Sequence, residues 1–148
     1  MTTIAWDGRE LVGDRMTTMG GTPLPAMRKV HRLRAPNGRI ALVGFTGSTG
    51  YTASYLAWML GGQEPQLKQG EDPKWAILLI EYPRWVWYRC DSVNRWDLIG
   101  ATSGFAIGSG GDYALGALEA GASARHAVRI ASRLDNQTGF GLNAVRFE

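Results

Sequence analysis

The chain has 148 residues, 45% apolar and 20% charged, with a net charge of +3, the make-up of an ordinary soluble globular protein. One domain over residues 1–148 is expected, long enough to bury roughly 70% of the surface of its unfolded chain. No stretch reaches the ~18 consecutive apolar residues of a membrane span, Met1 to Asp7 lacks the basic-then-apolar pattern so no secretory signal is expected, and Cys90 alone cannot make an internal disulfide. A reducing compartment, the cytoplasm, fits best.

The first third reads as strands and tight turns. Thr2 to Trp6 is β-prone, Asp7-Gly8 is a strong hairpin turn, and Glu10 to Gly13 returns. A looser Gly/Pro segment from Gly20 to Pro25 leads into a strand from Met27 to Leu33. Overlapping it is the densest basic run, Arg28 to Arg34, which alternates like a half-buried strand, so no nucleic-acid partner is expected. Asn37-Gly38 is a second hairpin turn, and Arg39 to Phe45 is an apolar strand. Tyr51 to Leu60 carries Tyr51, Tyr55, Trp58 and Met59 at helical spacing and stops at Gly61-Gly62. Gln63 to Lys74, with two prolines, is expected to be a loop. Trp75 to Tyr82 and Trp85 to Cys90 are β-rich runs. Asp112 to Ala120 has helical composition. Ser123 is placed to cap a second helix whose apolar stripe is Ala124, Ala127, Val128, Ala131 and Leu134, with Arg125, Arg129 and Arg133 facing away. A terminal strand ends at Phe147. This order suggests layers with helices outside and sheets inside.

Much chemistry is excluded. With only His31 and His126 and no HExxH or CxxC, a zinc site is not expected. Gly108-Ser109-Gly110-Gly111 is neither a P-loop nor a dinucleotide loop, and no GxSxG elbow occurs, so no cofactor is expected. One nucleophile works without histidine: a hydroxyl on the first residue. A free α-amine has a pKa near ~8 and can take the hydroxyl proton itself or through one water. Met1-Thr2 is the kind of start from which the initiator is removed, which would expose Thr2.

The motifs then fall in a known order. Thr2-Thr3-Ile4-Ala5 is followed by Leu11-Val12-Gly13-Asp14-Arg15, by Arg28-Lys29-Val30-His31-Arg32-Leu33, and by Gly44-Phe45-Thr46-Gly47. Ile107-Gly108-Ser109-Gly110-Gly111-Asp112-Tyr113-Ala114 and Asp135-x-x-Thr138-Gly139 complete the series. Over nearly its whole length the chain resembles the proteasome β subunits, and in particular the simple bacterial HslV peptidase and its phage-encoded homologues. The resemblance implies the α+β, four-layer αββα sandwich of N-terminal-nucleophile hydrolases. It implies a threonine-type endopeptidase that degrades unfolded polypeptide inside a homo-oligomeric ring, with an ATP-dependent unfoldase cap as partner. It makes Thr2 the nucleophile, Asp14 and Lys29 its acid and lysine, and Gly47 the oxyanion donor. Ser109, Asp135 and Thr138 are the hydrogen-bonding shell around the amine. The family's second long helix has no counterpart here, where only Gln63 to Lys74 is available. Two other readings share the fold: a non-catalytic ring or scaffold protein that retains Met1, and an amidohydrolase acting on small amides. Exposed aromatics such as Trp75, Trp85 and Trp87 are expected to supply subunit contacts.

Overall fold

A computed structural model describes residues 2–19, 21–25, 28–47, 49–65, 76–81, 85–90, 93–100 and 104–148. In chain order its elements are β1 (Thr3–Trp6), β2 (Leu11–Asp14), β3 (Met16–Met19), β4 (Thr22–Pro25), β5 (Val30–Arg34), β6 (Ile40–Thr46) and α1 (Thr49–Met59). Then follow β7 (Ala76–Glu81), β8 (Trp85–Cys90), β9 (Val93–Gly100), β10 (Phe105–Gly108), α2 (Gly111–Glu119), α3 (Ala124–Leu134) and β11 (Leu142–Val145).

The two hairpin turns work as their residue types dictate. At the first, the Asp7 carboxylate accepts the Arg9 and Glu10 N–H groups at 2.9 and 2.8 Å, and Gly8 supplies a φ of +93°. The result is an antiparallel pair with Ala5 opposite Val12. β10 adds to the other side of β1 and β11 to the other side of β2, giving a sheet of order β10-β1-β2-β11. The Asn37-Gly38 turn joins β5 to β6 and opens a second sheet, β5-β6-β7-β8-β9, antiparallel throughout.

Three apolar clusters fix the layers. Ile4, Trp6 and Leu11 of the first sheet meet Val30, Leu42, Leu78 and Ile80 of the second between the sheets. Ala5 and Val12, pointing the other way along the same strands, meet Ala114, Ala124, Ala127, Val128 and Ala131 of α2 and α3. Val43, Phe45 and Ile77 meet Tyr55 of α1. The stack is therefore α1, five-stranded sheet, four-stranded sheet, α2–α3: the four-layer αββα sandwich. Where the sheets approach, a Cβ on Gly44 would lie 2.6 Å from Ile4 Cγ2 and one on Gly13 2.9 Å from Ile4 Cδ1. Ile4 fits only because both neighbours are bare backbone, and this close fit brings the start of β1 beside the start of β5.

Four expectations differ from the structure. The Gly20–Pro25 segment is not loose, because Thr22–Pro25 pairs with Met16–Met19 as a ribbon around Gly21 at φ +82°. Prolines fit there since each strand of a two-stranded ribbon has a free edge. β9 and β10 were not anticipated: Asn94, Arg95 and Asp97 interrupt the apolar pattern, as an edge strand permits. Leu134 is 59% exposed, because it is the last residue of α3 and no part of the cluster that holds Ala131. The basic strand begins at Val30 rather than Met27, which lies outside the described residues. Of the expected loop Gln63 to Lys74, only residues 63–65 are described, without regular structure. Trp75 and Tyr82 also lie outside.

Candidate active site

Antiparallel register places the end of β2 under the start of β1, with Ile4 opposite Gly13. Asp14, the last residue of β2, is 0% exposed. A carboxylate can be buried only when fully paired, and this one accepts five hydrogen bonds. Its Oδ1 takes Thr2 Oγ1, the Thr3 N–H at 3.0 Å and Lys29 Nζ at 2.9 Å. Its Oδ2 takes the Met16 N–H at 3.2 Å and the Gly139 N–H at 3.1 Å.

Lys29 stands just before β5. Its carbonyl accepts the Phe45 N–H at 2.9 Å, which ties its backbone to β6, and its Nζ donates to Asp14 and to the Met16 carbonyl. Burial lowers the Lys29 pKa below the ordinary lysine value, and the attraction and hydrogen bond of Asp14 offset only part of that effect. The Thr2 hydroxyl and the Lys29 ammonium thus share one carboxylate oxygen.

A second group surrounds the Thr2 backbone. Its carbonyl faces the Gly110 N–H at 3.5 Å and the Ser109 hydroxyl at 3.4 Å, both long contacts. Ser109 Oγ donates to Asp135 Oδ2 at 2.6 Å, as does Thr138 Oγ1 at 2.6 Å. Thr138 Oγ1 in turn lies 2.7 Å from Thr3 Oγ1. Asp135 caps the C-terminus of α3. Burial raises its pKa, but the hydrogen bonds from Ser109, Thr138 and the Gln137 N–H outweigh this and leave it below the ordinary carboxylate value.

Ser109 sits between glycines for a steric reason. A Cβ on Gly108, at φ +100°, would lie 1.9 Å from the Thr2 carbonyl oxygen, and one on Gly110 would lie 2.1 Å from Thr3 Oγ1. Ser109 is not the α2 cap, which is Gly110 with no side-chain hydrogen bond. Lys29, only 9% exposed, is not a surface lysine.

Of the seven candidate residues, Thr2, Asp14, Lys29, Ser109, Asp135 and Thr138 converge on the start of β1. Gly47 lies exposed one residue past β6 at φ +98°, and no hydrogen bond joins it to Thr2 among the described residues. Neither histidine joins the cluster: His31 packs edge-on against Phe45 at 6.1 Å and His126 lies exposed in the first turn of α3. Sequence reasoning gave no role to Thr3, to the Met16 carbonyl or to the Gly139 N–H. The Thr2-Thr3 doublet and the glycine after Thr138 were the available signals. Among the described residues no group of three His, Cys, Asp or Glu side chains could hold a metal ion, and no helix is long and apolar enough to cross a membrane.

No protein-family model matches this sequence, and no curated protein matches it. Solved structures do match. BPH from Thiobacillus denitrificans, in complex with epoxomicin, superposes with a TM-score of 0.72 at 20% identity, over 99% of this chain and 97% of that one. HslV from Trypanosoma brucei gives a TM-score of 0.71 at 20% identity, over 97% of each chain. The Anbu complex from Pseudomonas aeruginosa, a helical assembly, gives 0.74 at 11% identity, over 100% of this chain and 81% of that one. On these likenesses and its own layer order, the chain has the fold of the HslV and proteasome-type N-terminal-nucleophile hydrolases.

Proposed function

We propose that this chain is a threonine-type endopeptidase whose nucleophile is Thr2 Oγ1, active once Met1 has been removed. One observation carries the reading: the Thr2 hydroxyl and the Lys29 ammonium meet on the same oxygen of a fully buried Asp14 carboxylate. Such a cation beside the first residue favours the alkoxide and depresses the pKa of a neighbouring amine. With Met1 gone, the Thr2 α-amine takes the hydroxyl proton as Oγ1 attacks the peptide carbonyl. The tetrahedral oxyanion is met by the Gly47 N–H, a donor of a kind worth about 3–4 kcal/mol to a transition state. Collapse breaks the C–N bond, the ammonium returns its proton to the leaving amine, and water hydrolyses the ester on Thr2. Asp14 and Lys29 hold the nucleophile, and Ser109, Asp135 and Thr138 hold the backbone that carries the amine. The substrate is unfolded polypeptide, handled within a homo-oligomer, a reading supported by the self-assembly of the similar Anbu complex. An ATP-dependent unfoldase is the proposed partner.

Epoxomicin, the ligand in the similar BPH structure, is the direct probe. Mass spectrometry of the native protein should find Thr2 as the first residue and a covalent adduct on it. Thr2→Ala should lose peptide hydrolysis by a thousandfold or more, and Thr2→Ser should keep part of it. A chain that starts at Thr2 yet forms no adduct and cleaves no peptide contradicts the proposal. The burial of Thr2, at 2% exposure, favours a second reading, a non-catalytic scaffold that retains Met1. That reading requires the intact mass to include Met1.

A further inference from the structure

We infer that Arg89 is a positioning residue for the oxyanion donor: its buried guanidinium clamps α1, and the seat of α1 aims the Gly47 N–H. The inference rests on the reading above in taking Gly47 as that donor. Arg89 belongs to β8, opposite Ile77 of β7, whose side chain packs beneath Tyr55 of α1. It is only 5% exposed, and a cation so buried must be paired. Its guanidinium carbon stands 5.8 Å from the ring centres of Tyr55, Trp58 and Trp96, within cation–π range. Its Nη1 donates to Glu64 Oε1 at 3.2 Å.

These partners tie together separate parts of the chain. Tyr55 and Trp58 lie one turn apart on α1 and meet edge to face at 5.8 Å, while Trp96 belongs to β9. Glu64 follows α1, and two glycines fold the chain back to bring it there. Gly61, at φ +104°, donates to the Trp58 carbonyl at 2.9 Å, and Gly62 donates to the Ala57 carbonyl at 2.9 Å. Apolar burial alone is non-directional, so Val43, Phe45 and Ile77 give α1 a seat without fixing its rotation or its position along the axis. A planar guanidinium gripped by two rings of the helix and by the segment beyond it fixes both.

The consequence lies at the other end of α1, which begins at Thr49, two residues after Gly47. The Gly47 N–H belongs to the peptide that joins Thr46 to Gly47. On the Thr46 side this peptide is anchored, because Thr46 Oγ1 accepts the Ala76 N–H at 3.0 Å and the Phe45 N–H is held by the Lys29 carbonyl. On the other side the chain turns at φ +98° and enters α1. The direction of the N–H therefore follows the seat of the helix. A shift of α1 moves the donor while Thr2, held by Asp14 in the other sheet, stays in place.

Peptide hydrolysis at 25 °C by the full chain tests this, with Arg89→Met, Arg89→Lys and Leu118→Ala set against wild type and circular dichroism establishing that each is folded. Leu118 packs in the opposite helix layer, so its variant reports what general loosening does to the rate. Arg89→Met should lose about tenfold or more in kcat, since removing an oxyanion donor outright costs about 100-fold or more. KM should stay within about twofold, as for an interaction made only in the transition state. The pH profile of kcat should be unchanged, because Lys29 and Asp14 are untouched. Arg89→Lys, which keeps the cation, should recover part of the loss, and Leu118→Ala should leave kcat near wild type. Amide hydrogen exchange read by mass spectrometry needs no activity: Arg89→Met should speed exchange about tenfold over residues 46–59 and leave residues 2–6 as they are. Should Arg89→Met not fold, Glu64→Gln takes its place, with a loss in kcat of about two- to fivefold expected from its half-exposed pair. Unchanged exchange over 46–59, an unchanged kcat, a loss carried in KM, or an equal loss in Leu118→Ala overturns the proposal. A wild type that neither cleaves peptide nor takes epoxomicin, with exchange over 46–59 rising as expected in the variant, leaves the clamp on Gly47 standing and sinks the peptidase.

Discussion

Replacing Lys29 with methionine keeps the volume of the side chain and removes its charge. Asp14 is 0% exposed, so the carboxylate left behind loses its counter-ion in a place water does not reach. Breaking one side of a buried pair costs about 3–5 kcal/mol. For a chain of this size each kcal/mol moves the melting temperature by about 3 °C, so Lys29→Met should melt about 9–15 °C lower at neutral pH. Thermal unfolding followed by far-ultraviolet circular dichroism measures it. The pH dependence gives a second, independent reading. Burial lowers the folded-state pKa of Lys29 below its ordinary value of 10.5. Between those two values the unfolded chain holds a proton that the folded chain has released, so the wild type gains stability relative to Lys29→Met as pH rises toward 10.5. A melting temperature within about 3 °C of wild type at neutral pH would refute the pairing.

Asp135→Asn should cost about 1–2 kcal/mol at neutral pH, through weaker bonds from Ser109 and Thr138. Because the Asp135 pKa is lowered from 3.8, the wild-type advantage should persist above that value and fade as pH falls through the lower one, as urea titrations at several pH values would show. Glu10 pairs with Arg125 and Arg146, whose side chains are 43% and 45% exposed. Glu10→Gln should therefore cost only about 1 kcal/mol or less, and less still in high salt; a loss unaffected by salt would contradict this. Gly108→Ala should be far more damaging than Gly21→Ala. Both positions have positive φ, but a Cβ at Gly21 meets nothing within 4 Å whereas one at Gly108 runs into the Thr2 carbonyl. Denaturant melts should show a loss of about 1 kcal/mol for Gly21→Ala and about 3 kcal/mol or more for Gly108→Ala.

The sequence made the hairpins legible because Asp7-Gly8 and Asn37-Gly38 carry turn chemistry in their own side chains. The two late helices were legible from the α3 stripe and the Ser123 cap, whose hydroxyl accepts the His126 N–H at 3.2 Å. β9 was not legible, because strand identity at a sheet edge comes from its neighbour, and here the register also shifts twice against β8. The site divides in the same way. Thr2, Asp14 and Lys29 could be nominated from motif order, yet nothing in residue type says that Asp14 has five donors. That number depends on Met16 and Gly139, main-chain groups far apart in the chain. Main-chain partners carry no residue signal at all, which is why Gly139 and the Met16 carbonyl were overlooked.

The ends of a polypeptide are usually its most frayed parts. In this molecule the opening residues run up the interior of a sheet, with Thr3 laddered to Gly108 on one flank and Ile4 to Gly13 on the other. Trimming a single residue from the front would leave these rungs, from Thr3 onward, in place. The newly made terminus would inherit a seat already built, and a reactive group placed there would need no closing lid or docking step to find its alignment.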